Sequence, residues 1–205
     1  KGVIGTANSL IGSTAEDRVG DYVTVLSNDN YIVRTPYWDK AAAVDVGAVT
    51  WGSGTLGVKG AISATNSLTG NKASDYVGYY FTLLSNDNYI VQSPDWDNGL
   101  NADAGAVTWG SATAGVSGLI SAANSLVGSK PNDRIGDTVT VLSNDNYVVR
   151  APYWDNGLVT DAGAVTWGSG TAGVLGVISA GNSLIGSTAF DYIGSYLTVL
   201  SNNNY

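Results

Sequence analysis

Apolar residues in this chain come in short runs, not at helical spacing, and each run stops at a cluster of Gly, Asn, Asp, Ser or Pro. Runs of four or five β-branched and aromatic residues between such breakers predict strands. The pattern predicts four in the first part of the chain. Tyr22-Val-Thr-Val-Leu26 is largely apolar on both faces, as expected of an inner strand buried on two sides. Tyr31-Ile-Val-Arg34 follows the polar Ser-Asn-Asp-Asn turn at 27–30, so the pair reads as a hairpin, ended by Pro36. Ala48-Val-Thr-Trp51 is the third, entered through Asp45-Val-Gly47 and closed by Gly52-Ser-Gly54. The fourth is expected from Gly60 to Leu68, a stretch whose alanines and serines also suit a helical turn.

The whole pattern then recurs. Leu-Ser-Asn-Asp-Asn-Tyr ends at Tyr31, Tyr89 and Tyr147, with a variant ending at Tyr205, spaced by 58 residues each time. The expected organisation is one array over 1–205, made of a partial repeat 1–31 and repeats 32–89, 90–147 and 148–205. Four short strands per unit predict an all-β fold of β-propeller-type blades, each of four antiparallel strands. A β-solenoid is the alternative, but its coils repeat at about 20–30 residues, so each unit would have to hold at least two.

The motifs resemble the FG-GAP repeat of integrin-α-type propellers and related bacterial surface proteins. The position of the family's Phe-Gly pair is held by Val19-Gly20, Val77-Gly78, Ile135-Gly136 and Ile193-Gly194, each two residues after an Asp. The Gly-Ala-Pro position reads Arg34-Thr35-Pro36, Gln92-Ser93-Pro94 and Arg150-Ala151-Pro152, and Gly47-Ala48-Val49 and its copies at 105 and 163 match the third strand. The units are also similar to tandem repeats of large bacterial secreted proteins of the filamentous-haemagglutinin kind. These resemblances imply a bacterial protein at the cell surface or outside the cell, built for adhesion or as a scaffold. The family's calcium loop is shortened here to the four-residue turn at 27–30. One carboxylate and two amides fall short of the six to eight oxygens calcium takes, so no metal or other cofactor is expected.

Composition narrows the function further. A net charge of −8 repels a phosphate backbone, so nucleic acid is not an expected partner. No apolar run approaches the roughly 18–20 residues that span a bilayer as a helix, and membrane insertion is not expected. The chain opens on Lys1 without an initiator methionine or a signal-like segment, which suggests a piece of a longer polypeptide. It contains no His and no Cys, so neither the usual base nor a thiol nucleophile is available, and every acid cluster is copied per unit where a glycosidase needs one distinct pair. A non-catalytic module is the expectation.

The candidate ligand-binding residues are the pairs Trp38–Asp39, Trp96–Asp97 and Trp154–Asp155, each just after a Pro. A tryptophan face can stack on a sugar ring while the neighbouring carboxylate accepts its hydroxyl hydrogens, which would make a lectin-like site in each unit. The same pairs would also serve as gap-filling plugs with a turn-capping Asp. Asp17, Asp75, Asp133 and Asp191, with Asp45, Asp103 and Asp161, are expected to tie down turns, as are Asn8, Asn66, Asn124 and Asn182. Expected partners are other copies of the chain, or the rest of a longer one, and a glycan or surface protein. The unclosed strand set at both ends favours pairing with further copies, and the alternative role is a building block of a surface fibre or matrix.

Overall fold

The longer strands form where β-branched and aromatic residues run together, between clusters of Gly, Asn, Asp, Ser or Pro. The computed structural model describes residues 2–205, which hold strands and turns and no helix. β1 (Leu10–Ile11) comes first. The first full unit supplies β2 (Tyr22–Val25), β3 (Tyr31–Thr35), β4 (Ala48–Gly52), β5 (Gly60–Ala61) and β6 (Ser67–Thr69). The second supplies β7 (Tyr80–Leu83), β8 (Tyr89–Ser93), β9 (Ala106–Gly110), β10 (Gly118–Leu119) and β11 (Leu126–Val127). The third supplies β12 (Thr138–Val141), β13 (Tyr147–Ala151), β14 (Ala164–Gly168), β15 (Gly176–Val177) and β16 (Leu184–Ile185).

Each unit folds into an antiparallel sheet: β2-β3-β4-β6, β7-β8-β9-β11 and β12-β13-β14-β16. The fold is all-β, and this pairing within units is not that of a parallel solenoid. Two features depart from the sequence expectation. The stretch from Gly60 to Leu68 is two strands, not one, because Asn66 closes a turn between them: its Oδ1 accepts from Ser63 N at 3.0 Å and its Nδ2 donates to Ala61 O at 3.0 Å. The first of the two, β5, leaves its own sheet and pairs in parallel with β1, as β10 does with β6 and β15 with β11. Neighbouring sheets are thereby joined by backbone bonds such as Ile120 N to Thr69 O at 3.1 Å and Ile178 N to Val127 O at 3.2 Å. No pairing closes the sheets of residues 2–205 into a barrel or ring.

The second departure concerns β2. It is an edge strand with Val25 70% exposed, not an inner strand buried on two sides, and β7 and β12 hold the same edge position. The doubly buried strands are the next two of each unit. Along β8, Tyr89 and Val91 join a cluster with Leu26, Ile32, Val49 and Leu68 of the first unit, while Ile90 joins one with Tyr147, Val149 and Ala164 of the third. Sheets therefore stack face to face, and a middle sheet needs apolar residues on both sides. Inside the stack, hydroxyls pair with each other: Thr50 with Ser67 at 2.7 Å, and Thr108 with Ser125 and Thr166 with Ser183 at 2.6 Å. Within each of these pairs one hydroxyl donates to the other. Gly110 lies opposite Tyr89 across the β8–β9 ladder, where a Cβ would fall 2.1 Å from the ring, so glycine leaves room for the phenol.

Candidate functional site

The recurring acids organise backbone. Asp75 Oδ2 accepts from Asn71 N at 2.7 Å and Lys72 N at 2.8 Å, and its Oδ1 accepts from Asp97 N at 3.0 Å. Asp97 Oδ1 in turn accepts from Asp103 N at 3.0 Å. The chain is repeated from Asp17 through Asp39 to Asp45 and from Asp133 through Asp155 to Asp161. Asp45, Asp103 and Asp161 have φ of 56°, 51° and 48°, left-handed values that Asp tolerates in turns. Asp39, Asp97 and Asp155 therefore hold turns with the same carboxyl groups that a sugar would need.

Burial pushes Asp75 up to about 6 against the pull of its three N–H donors. Asp133 is raised for the same reason. Burial also raises Asp17, but its donors outweigh that and leave it below the usual carboxylate range. A raised carboxyl favours the folded state when protonated: the contribution of Asp75 is fully present below about pH 4, near the unfolded value, and is lost as pH rises through about 6. Asp17 acts in the opposite direction, losing its contribution as pH falls. The expected outcome is a melting temperature that does not fall, and rises modestly, between pH 7 and pH 5. Asp75→Asn should remove the Asp75 part of that slope and destabilise by about 1–3 kcal/mol, because an amide has only one acceptor oxygen for three N–H groups. Thermal melts of both proteins at the two pH values check this, and an unchanged variant would contradict it.

The paired tryptophans are buried. Trp38, Trp96 and Trp154 are 5%, 5% and 4% exposed, and Trp96 and Trp154 lie in the clusters that join adjacent units. In this structure their faces meet protein, so the structure brings each Trp–Asp pair together at the base of a turn and leaves no open indole face beside the carboxylate.

The turn at 27–30 and its copies fasten one unit to the next. Ser27 N donates to Asp87 Oδ1 at 3.1 Å and Ser27 Oγ to Asp87 Oδ2. Ser85 makes the same contacts with Asp145 at 2.8 and 2.9 Å. Asn28 Nδ2, Asn30 Nδ2 and Trp51 Nε1 all donate to Ala112 O, at 3.2, 3.1 and 2.9 Å. Asn86, Asn88 and Trp109 repeat this on Gly170 O at 3.2, 2.9 and 3.1 Å. The sequence marks these residues as a turn, and their partners lie 60 to 84 residues away, in the following unit. Among the described residues no three acidic side chains converge on a metal position.

One cavity of about 340 Å³ opens between the first and second units, lined by Tyr37, Tyr76, Tyr79, Tyr80 and Asp95. These tyrosines do not stand in every unit: position 37 becomes Asp95 and then Tyr153, and position 76 aligns with Arg18, Arg134 and Tyr192, so the pair is broken at the second junction and returns at the third.

A family model described as a repeat of unknown function (DUF5650) matches the chain four times, at residues 1–21, 25–79, 83–137 and 141–195. No curated protein matches.

Proposed function

The chain belongs to the DUF5650 repeat family, and from the way its units stack we propose that it is a non-catalytic scaffold or adhesion array that grows by adding further units of its own kind. The observation that carries this is the face of the third sheet, which the described residues cover only in part and which a further unit, from a longer chain or from a second copy, would fit. Trp51 and Trp109 donate to a carbonyl of the following unit, whereas their counterpart Trp167 is 46% exposed and meets no such carbonyl among the described residues. Leu184 is 69% exposed where its counterparts Leu68 and Leu126 are fully buried. At the other end of the chain Gly54, at the position of Ala112 and Gly170, offers the matching carbonyl. The two ends are complementary in the manner of a head-to-tail contact.

Residues 191–205, the counterpart of 17–31, cover part of that face: Ile193 and Leu197 pack on Leu142, Val148 and Val165. A second copy would bring its own 17–31 to the same place. Residues 196–199 form no strand, whereas β2 is paired with β3, so the exchange replaces an unpaired segment with a paired one. A ring of propeller blades of the FG-GAP kind and an open fibre both use this contact and differ in whether the last face meets the first. The acids hold backbone amides in turns, which supports a non-catalytic role, and the resemblance to large secreted bacterial proteins supports a place outside the cell.

Light scattering after size exclusion tests the reading. Wild-type protein should associate to multiples of the 21.1 kDa chain, one discrete mass for a ring and a concentration-dependent series for a fibre. Trp167→Asp, at an exposed position, should keep the fold and lose the association. A wild-type monomer at all concentrations, or a variant that associates equally well, would overturn it.

A further inference from the structure

The cavity between the first two units lies where the repeat varies, not where it is copied. The Trp–Asp pairs and the 27–30 turn recur because stacking needs them. The tyrosines recur only in part: Tyr37 and Tyr76 return as Tyr153 and Tyr192, edge to face with centroids 6.1 Å apart, but Tyr79 has no tyrosine counterpart. At the next junction the corresponding place is filled by ions: Arg134 pairs with Asp95 and with Asp137, both at 3.1 Å. Stacking is thus compatible with quite different side chains there, and the aromatic set at the first junction is free to serve a ligand.

Its geometry indicates which. Tyr37 and Tyr76 meet edge to face with centroids 6.4 Å apart at 81°, Tyr76 and Tyr79 at 6.5 Å and 66°, and Tyr79 and Tyr80 at 5.0 Å and 71°. Rings set at steep angles form walls and do not pair off face to face. Tyr79 and Tyr80 are each 48% exposed. The volume falls in the range of small-molecule sites, about 300–1,000 Å³. Phenols supply both donor and acceptor beside an apolar ring, and Asp95 adds an acceptor. A cation is a poor occupant: the Arg18 guanidinium already sits 5.1 Å from the Tyr37 ring centre, and Arg134 neutralises Asp95. A nucleotide would bring phosphate to a chain of net charge −8.

We propose that the tyrosine-lined cavity formed by Tyr37, Tyr76, Tyr79, Tyr80 and Asp95 binds a neutral pyranose sugar, its C–H face against a phenol ring and its hydroxyls to the phenol oxygens and the Asp95 carboxylate. The site goes beyond the stacking role and does not depend on it. Ligand-observed NMR with the methyl glycosides of glucose, galactose, mannose and N-acetylglucosamine, with choline as the cationic probe, tests it on the full chain. The expected result is saturation transfer from the protein to at least one glycoside and none to choline. Tyr79→Ala and Tyr80→Ala should each weaken that binding at least tenfold, while Tyr196→Ala, a fully exposed position outside the cavity, leaves it unchanged. Binding of choline in place of the sugars, no binding of any glycoside, or sugar binding that survives both cavity variants would overturn the proposal. Light scattering of the same samples reads the stacking separately, so the two can fail independently.

Discussion

Gly105→Ala should destabilise the protein by about 2–5 kcal/mol, the sum of a left-handed backbone penalty and forced overpacking. Gly105 has φ of 75°, and a Cβ there would lie 2.2 Å from Ile135 N and 2.4 Å from Ile135 O. Both are backbone atoms. They cannot swing away as a side chain would, because Ile135 N donates to Ala104 O at 3.1 Å and Gly105 O accepts from Gly128 N at 3.0 Å. The same close approach recurs between Gly47 and Val77 and between Gly163 and Ile193, so it is part of how every unit meets the next. Gly99 provides the control: φ is 67° but nothing lies within 4 Å of its would-be Cβ, so Gly99→Ala should cost only the backbone part, about 1 kcal/mol. Urea denaturation of the two variants checks this. Equal losses would mean that the backbones at Gly105 and Ile135 do not approach as described.

Trp96→Ala should lower stability by about 3–5 kcal/mol, as expected when a large aromatic is removed from a packed interior. Trp96 shares its cluster with Leu26, Ile32 and Val49 of the preceding unit and with Val91 and Ala106 of its own, so truncation opens a cavity where two sheets meet. Trp167→Ala, at a half-exposed site, should cost far less. Thermal melts decide between the structural and ligand-binding roles of the pair: a Trp96 variant that keeps its melting temperature but loses glycan binding would restore the stacking-platform reading of Trp96 and Asp97.

The period and the central strands were legible from the chain alone, because a strand covered on both faces must be apolar throughout, and the Tyr31 and Ala48 runs meet that requirement. The edge position of β2 was not. Tyr22-Val-Thr-Val-Leu26 has the same β-branched character, and strand preference does not distinguish an edge from a centre; of its residues only Leu26 is buried. The break between β5 and β6 escaped because it depends on which backbone groups Asn66 reaches. The turn at 27–30 was recognised as a turn, but its partners Asp87 and Ala112 are 60 and 84 residues from Ser27 and Asn28, and only the stacked structure shows that it is a fastener. The tyrosine cavity had no unbroken period to reveal it, since the Tyr37 and Tyr76 pair is replaced by Asp95 and Arg134 before it returns as Tyr153 and Tyr192.

Cysteine trapping tests the head-to-tail contact most directly, and the chain has no cysteine of its own to interfere. Within the chain Ser27 meets Asp87, and Ser85 meets Asp145. In the third unit Ser143 N donates to Asn203 Oδ1 of its own chain at 3.0 Å, in the segment that a second copy would displace, and with that segment exchanged the same contact sets Ser143 of one chain against Asp29 of the next. The double variant Ser143→Cys and Asp29→Cys, oxidised mildly, should yield a ladder of disulfide-linked chains, while either single variant yields none and Ser85→Cys with Asp145→Cys closes within one chain. A double variant that stays monomeric while the intrachain control closes, or a single variant that dimerises as readily, would contradict a stack that extends itself.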